Sequence, residues 1–288
     1  MRTLVTGSEG RLGRSVVAEL EASGHDVIGI DARGGTVPAD LTDLGEAYEV
    51  MARFRPAAVV HLAAIATPFS RTDGLTYRTN TQLAFNVCEA AVHTGVERVV
   101  VASSPTVVGY GAPLGWTPSY LPLDEDHPAR PWNAYSLSKL AAEQTMQAFV
   151  RQAGDRVAFA AFRPCFVVAP EEWAGAPTQS GHTIRERLER PELGAVSLFN
   201  YLDARDAGEL VRVLVEALPG LPNGEVFFAS AADALAREPL AELLPTLLPE
   251  TEPFAAALTG TAPAFSAAKA ERLLGWRAKR GWRTELEI

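Results

Sequence analysis

Tyr135 and Lys139 stand four residues apart in the run Tyr135-Ser136-Leu137-Ser138-Lys139. The surrounding pattern predicts a helix, and positions four apart share one helical face. A phenol ordinarily titrates near about 10. An adjacent ammonium favours the phenolate and lowers that value. The pair could then exchange a proton with a substrate hydroxyl near neutral pH. Ser103-Ser104 lies just past the apolar run Arg98–Ala102. A serine there could donate a hydrogen bond to the same substrate oxygen and orient it. The alternative is a strand-end serine that only caps the loop backbone.

A second group of residues points to a bound dinucleotide. Gly7-Ser8-Glu9-Gly10-Arg11-Leu12-Gly13 follows a short apolar run and opens a helical pattern. Glycines at this spacing allow a tight turn and let the backbone approach a pyrophosphate. Free amides at the helix start would face the anion. The expected contacts are Gly7, Gly10, Arg11, Leu12 and Gly13. Asp31 ends the next strand about 20 residues on, where dinucleotide folds place an acid against the adenosine ribose. A carboxylate there repels a 2′-phosphate, so NAD is favoured over NADP. Arg33 could accept that phosphate, and a solvated turn residue is the other reading of Asp31. His61-Leu62-Ala63-Ala64 ends a third strand with small residues, as a ligand lying across strand ends requires. His61 itself reads better as a hydrogen-bonded strand-end histidine. Asp40-Leu41 reads as the approach to a helix N-terminus. Asn80 falls inside a helix, where asparagine is a mediocre former. Its side chain bonds a neighbouring loop, a cofactor or only solvent.

The elements that must position these groups alternate. Strands are predicted at Thr3–Thr6, Asp26–Ile30, Ala57–His61, Arg98–Ala102 and Val157–Phe162. Helices are predicted at Arg11–Ala22, near Leu44–Phe54, and at Leu75–Thr94 and Trp132–Arg151. Continuous apolar strands between helices imply a parallel sheet covered on both faces. After Cys165 the rhythm breaks, and Val167–Pro191 reads as irregular. Helices near Arg205–Ala217, Glu238–Leu247 and Ala267–Leu274, and a strand near Glu225–Phe228, follow. The expected fold class is α/β: a Rossmann-type doubly wound parallel sheet over residues 1–165. A smaller substrate lobe over residues 166–288 interleaves with it, and parts of that lobe return to the sheet. Pro105–Pro131 holds six prolines and reads as an ordered loop, either a long connection or one wall of a substrate cleft.

Composition bounds the function. The 288 residues suffice for one large domain or two unequal lobes. Hydrophobic residues at 47% and charged residues at 21% exclude disorder and coiled coil. Lys+Arg is 26 and Asp+Glu 35, a net charge of -9. That balance argues against nucleic acid and membrane surfaces as partners. No apolar run approaches the roughly 20 residues that cross a bilayer. The N-terminus turns into glycines before a signal core could form. Cys88 and Cys165 lack metal spacing and the five histidines are scattered, so no metal is expected and a reducing cytoplasm fits.

Taken together, the motifs resemble those of extended short-chain dehydrogenases/reductases, in the NAD-dependent epimerase/dehydratase group. The matching pieces are Thr6 to Gly13, Asp31, Asp40-Leu41, His61 to Ala64, Asn80, Ser103-Ser104, Tyr135 with Lys139, Arg163-Pro164 and Tyr201 to Asp206. Lys269 to Trp276 resembles the closing helix of that family, so the likeness spans nearly the whole chain. The resemblance implies a Rossmann domain and Ser104, Tyr135 and Lys139 as the catalytic triad. It implies that Lys139 also holds the nicotinamide ribose. Asp40, Leu41, Leu62, Ala63, Ala64, Asn80, Tyr135 and Pro164 join the glycine loop and Asp31 as expected cofactor contacts. It further implies a small sugar-like substrate and a homodimer paired through two helices of each subunit.

Departures narrow the activity. Val108 stands where the family often has tyrosine in a Val-Tyr-Gly run. Pro105-Thr106 replaces the Asp-Glu pair of sugar-nucleotide dehydratases and cannot do that proton chemistry. The asparagine usual after the Arg163-Pro164 strand is not found, and the chain is short for a nucleotide-sugar epimerase. Ile65, Gly109-Tyr110 and Asp126 to Pro131 resemble uronate dehydrogenases, which act on free sugar acids. Arg185, Arg187 and Arg190 could contact an anion, but a solvated charged helix face is the better reading. The expected activity is an NAD-dependent aldose or sugar-acid dehydrogenase. The alternatives are a nucleotide-sugar epimerase with tightly held NAD and a non-catalytic NAD sensor.

Overall fold

Strands rich in Val, Ala and Phe build a seven-stranded, all-parallel sheet in the computed structural model, which describes residues 1–286. The first half of the chain supplies β1 (Arg2–Thr6), α1 (Arg11–Ala22), β2 (Asp26–Asp31), β3 (Val37–Pro38), α2 (Leu44–Phe54), β4 (Ala58–His61), α3 (Asp73–Thr94), β5 (Arg98–Ala102), α4 (Ala134–Ala153) and β6 (Ala158–Pro164). The second half supplies β7 (Val167–Val168), α5 (Pro170–Trp173), α6 (Ile184–Glu189), α7 (Glu192–Ala195), β8 (Leu202–Asp203), α8 (Ala204–Ala217) and β9 (Glu225–Ala229). It ends with α9 (Leu240–Leu247), α10 (Glu252–Ala255), α11 (Ala268–Leu274) and α12 (Trp282–Glu285). The sheet order is β3-β2-β1-β4-β5-β6-β9, and β7 pairs with β8 apart from it.

Alternation along the strands explains the two layers. Leu4, Val59 and Val99 face a core shared with α2, α3 and α4. Their neighbours Val5, Val60 and Val100 face the opposite core, shared with α1 and α8. Successive strand residues thus bury on both faces, the pattern a doubly covered parallel sheet demands. The strand order steps outward from β1 in one direction and from β4 in the other. The reversal between β1 and β4 opens a crevice at the strand C-termini, where open α/β sheets bind ligands.

Several boundaries differ from the sequence expectation for local reasons. α4 starts at Ala134, not Trp132, because Asn133 caps it: Asn133 Oδ1 accepts from Ser136 N at 2.9 Å, and Ser136 Oγ accepts from Asn133 N at 3.3 Å. The stretch from Val167 is irregular only in part, over residues 174–183. It holds β7, α5 and α6, and Thr183 and Glu186 form a capping box on α6. These elements are too short to show a period. β9, from the second half, pairs with β6 at the sheet edge. The proline-rich loop is ordered. A 3₁₀ turn spans Pro105–Val108, Trp116 Nε1 donates to Val108 O at 2.9 Å, and Leu123 N donates to Ala264 O at 2.7 Å.

Candidate active site

The glycine turn is built for close approach. Gly7 takes φ +70°, and a Cβ there would lie 2.8 Å from the Ala63 amide nitrogen. A Cβ on Gly13 would lie 2.0 Å from Gly7 O. The chain can therefore fold back on β4 only with glycine at these positions. The first rung of α1 runs from Arg14 N to Gly10 O at 3.0 Å, so the amides before it point out of the helix end. No acidic residue occupies that first turn.

The ends of β1, β2 and β4 carry the next contacts. Thr6 Oγ1 accepts from Leu62 N at 3.2 Å and Ala63 N at 3.1 Å, which leaves its own proton for His61 Nδ1 at 2.8 Å. That fixes His61 with its proton on Nε2. Burial, and then the charge of Lys139, push its pKa down to about 3. His61 is thus a neutral structural residue. Asp31 ends β2, where one carboxylate oxygen accepts from Glu9 N at 3.3 Å. Asp40 Oδ1 accepts from Thr42 N at 3.0 Å, while the cap of α2 is Asp43. Asn80 is buried: its Oδ1 accepts from Ile65 N at 2.8 Å, and its Nδ2 donates to Ile65 O at 3.2 Å and Ser138 Oγ at 3.0 Å. Asn80 thus ties the loop after β4 to α4, the neighbouring-loop reading of its side chain.

At the other side of the crevice, Tyr135 and Lys139 project from the first turns of α4. Lys139 Nζ donates to Ala102 O at 2.9 Å and sits 5.9 Å from the Tyr135 ring centre. Burial pushes the Lys139 pKa down to about 8, against the opposing pull of Glu143. Burial also raises the Tyr135 pKa, and the Ser104 hydroxyl works against it. This corrects the expectation that the ammonium depresses the phenol: Lys139 is engaged by a carbonyl, and desolvation of the phenolate is the larger effect. Ser104 combines both readings of it. It lines the cleft, and its Oγ accepts from Thr106 N at 3.3 Å and pairs with Thr106 Oγ1 at 2.9 Å.

Behind these groups lies a buried ion pair. Arg163 Nε and Nη2 each donate to the Glu143 carboxylate at 2.8 Å, and Ser103 Oγ donates to Glu143 Oε1 at 2.5 Å. Glu143 thus ties the ends of β5 and β6 to the helix that carries Tyr135 and Lys139. Glu143 is not among the residues singled out from the sequence. The spacing Tyr135, Lys139, Glu143 on one helical face was the available signal for Glu143.

One cleft of about 580 Å³ joins all of this. Gly7, Gly10, Arg11, Leu12, Gly13, Asp31, Asp40, Leu41, Leu62, Ala63 and Ala64 line its first part. Ser104, Tyr135, Lys139 and Pro164 line the middle, and Tyr110, Phe166, Ser197 and Asn200 the far end. Pro105, Thr106 and Tyr110 come from the proline-rich loop, which is therefore a cleft wall. Arg33 is not among the lining residues. Asn200 is an asparagine the sequence reading did not find, and its Oδ1 accepts from Phe166 N at 2.7 Å. Arg187 is not a solvated helix residue: it is 3% exposed, with its guanidinium 4.4 Å from the Phe166 ring centre.

The chain belongs to the NAD-dependent epimerase/dehydratase family: residues 3–227 match the profile of that family. NAD is the cofactor of the family, and the glycine cradle, open helix end and Asp31 fit it. Among relatives, a ketoreductase of 4-hydroxy-2-methyl-3-oxo-4-farnesyl-3,4-dihydroquinoline-1-oxide from Stigmatella aurantiaca is 30% identical over 292 residues, 96% of this chain and 81% of its own. A UDP-glucose 4-epimerase from Mycolicibacterium smegmatis is 34% identical over 166 residues, 50% of this chain and 49% of its own. The match thus spans about half the length of that epimerase. A short-chain dehydrogenase/reductase superfamily protein from Agrobacterium tumefaciens, solved with bound NAD, superposes with TM-score 0.75 at 24% identity, covering 100% of this chain and 95% of that one. That likeness shows the fold.

Proposed function

We propose that this chain is a net NAD-dependent oxidoreductase that interconverts a secondary alcohol and a ketone, the reacting carbinol being of the kind sugars carry. Residues 1–165 would hold the cofactor and residues 166–288 would shape most of the substrate pocket. One observation carries this reading: Ser104, Tyr135 and Lys139 line one cleft together with the glycine turn and Asp31. The near-full-length match to a ketoreductase supports net turnover, whereas the M. smegmatis epimerase aligns over only half its length.

The roles follow from the geometry. The open end of α1, Gly7, Gly10 and Gly13 would take the pyrophosphate, and Asp31 would take the adenosine ribose. When bound, NAD supplies the two-electron acceptor for the hydrogen on the carbinol carbon. In the oxidation direction the O–H proton passes to Tyr135 in its deprotonated form as the C–O bond gains double-bond character. The raised pKa of the buried phenol makes that form scarce near neutral pH and more plentiful at higher pH. In reduction the Tyr135 hydroxyl returns that proton to the oxygen. Ser104 would hold the oxygen by a hydrogen bond. Lys139, fixed on Ala102 O, would hold the nicotinamide ribose and stabilise charge on the phenolate.

Exposed Leu75, Tyr77 and Phe85 on α3, with Leu137 on α4, suit a homodimer paired through these two helices. Cys88 and Cys165 are both buried and unpaired, which suits a reducing cytoplasm. Nucleotide-sugar epimerisation is the second reading, favoured by the match of about half of this chain to a UDP-glucose 4-epimerase. The test is absorbance of NADH during incubation of the protein with NAD and a panel of secondary alcohols, alongside Tyr135→Phe. The proposal expects NADH formation that the variant lacks. Equal turnover by Tyr135→Phe would overturn the assigned roles.

A further inference from the structure

The substrate end of the cleft is neutral and its polar groups are largely committed to the protein. Among the described residues, the cations lining the cleft are Arg11 and Lys139. Arg11 opens α1 on the cofactor side and pairs with Glu172 at 2.7 Å. Lys139 is held by Ala102 O. Arg187 touches Phe166 and donates to Ser197 Oγ at 3.0 Å, but those two residues form the wall and Arg187 does not. The dinucleotide pyrophosphate already brings two negative charges to the other end. A second diphosphate or a carboxylate would meet no free cation on the wall itself, since Arg187, buried and in no ion pair among the described residues, is screened from the cleft by Ser197 and Phe166. An anion held off from its counter-charge is costly to bury.

Sugar hydroxyls fare little better. Asn200 Oδ1 accepts from Phe166 N, and its Nδ2 donates to Ser197 O. Ser197 Oγ accepts from Arg187 and donates to Gly194 O at 3.0 Å. Thr106 Oγ1 is bonded to Ser104. A polyol would have to break such bonds to gain its own.

The mouth is aromatic. Phe69, next to the lining residue Pro68, is 67% exposed at φ +61°, a conformation uncommon for a bulky side chain. Its ring lies 5.7 Å from that of Trp132, whose Nε1 donates to the backbone oxygen of the lining residue Tyr110 at 3.1 Å. Two exposed rings that stand next to cleft-lining residues form an apolar landing surface.

We propose that the substrate is an uncharged alcohol or ketone whose body beyond the reacting carbon is apolar, seated against Tyr110 and Phe166 and covered by Phe69 and Trp132. This deepens and rests on the alcohol–ketone reading. The test is fluorescence titration of the NAD-saturated protein with the neutral aromatic probe N-phenyl-1-naphthylamine. Displacement is then measured with 1-phenylethanol, cyclohexanol, UDP and glucuronate. The double variant Phe69→Gly/Trp132→Ala is titrated in parallel, glycine being at ease at the φ of Phe69. Expected are binding of the probe, displacement by at least one of the two neutral alcohols, and about tenfold weaker probe binding in the variant, equivalent to ~1.4 kcal/mol. Failure of the probe to bind, unchanged binding in the variant, failure of both alcohols to displace it, or displacement by UDP or glucuronate would each overturn the proposal. Binding as expected without any NADH from the bound alcohols would instead count against the oxidoreductase reading alone.

Discussion

Lys139 gives its ammonium to the carbonyl of Ala102, 2.9 Å away at the end of β5, and not to the hydroxyl of Tyr135 four residues before it. The lysine is thereby fixed by the strand that also carries Ser104. Strand end and helix face are locked in one register, which places the three reactive side chains around one point of the cleft. Burial dominates the acid–base chemistry of both helix residues.

That balance sets the pH dependence. In the reduction direction Tyr135 must carry its proton and Lys139 its charge. The phenol sits above its ordinary value, so it stays protonated across the neutral range. Lys139 loses its proton near pH 8. kcat/KM for ketone reduction should therefore be flat at lower pH and fall as pH rises through about 8. Lys139→Arg, which retains charge at any such pH, should move that fall upward. An unchanged limb in a variant that still turns over would assign it to another group.

Tyr135→Phe should lower kcat by about 10²–10⁴-fold, the usual reach of a positioned acid–base group. Its Kd for NAD, measured by calorimetry, should stay within about twofold of the parent, because the phenol is not expected to carry the affinity.

Much of this site was legible in the sequence because its signals are local. The glycine turn, Asp31 and the Tyr135–Lys139 spacing each occupy one element, so a period or a turn betrays them. Thr6 and Asn80 stood out in the sequence, but their partners did not, because those are distant: Thr6 joins β1 to the end of β4, and Asn80 joins a loop to α4. Glu143 looked like one more polar helix residue until β6 brought Arg163 against it. The short helices around Arg187 were hidden because one or two turns cannot display an amphipathic pattern.

Gly13→Ala should weaken NAD binding at least tenfold (~1.4 kcal/mol). Its methyl would stand 2.0 Å from Gly7 O, so the turn must open. Gly74→Ala, with nothing within 4 Å of the new Cβ, is the control and should bind NAD normally. Comparing the two by calorimetry checks the cradle directly.

Glu143→Gln should destabilise the fold by about 3–5 kcal/mol, since it leaves Arg163 buried without its charge partner. Both side chains are nearly inaccessible, at 5% and 7% exposure, so solvent screening gives little relief. Replacing Arg163 by Met in the same chain should recover part of that loss. Denaturant unfolding of the two variants tests it; equal stability of Glu143→Gln and the parent would show that the pair contributes little.

Asp31→Ala should weaken NAD binding and narrow the preference for NAD over NADP, because the carboxylate that repels a 2′-phosphate is gone. Paired titrations with the two nucleotides read the ratio. Preference for NADP in the parent would mean that Asp31 does not face the ribose.

The central claim is net turnover with an exchangeable cofactor. Its most direct test is to denature the freshly purified protein and quantify the nucleotide released. The account predicts much less than one NAD per chain, with free NAD binding reversibly to the remainder. Near-stoichiometric NAD that survives gel filtration would contradict it and place the chain with enzymes that return the hydride within one catalytic cycle.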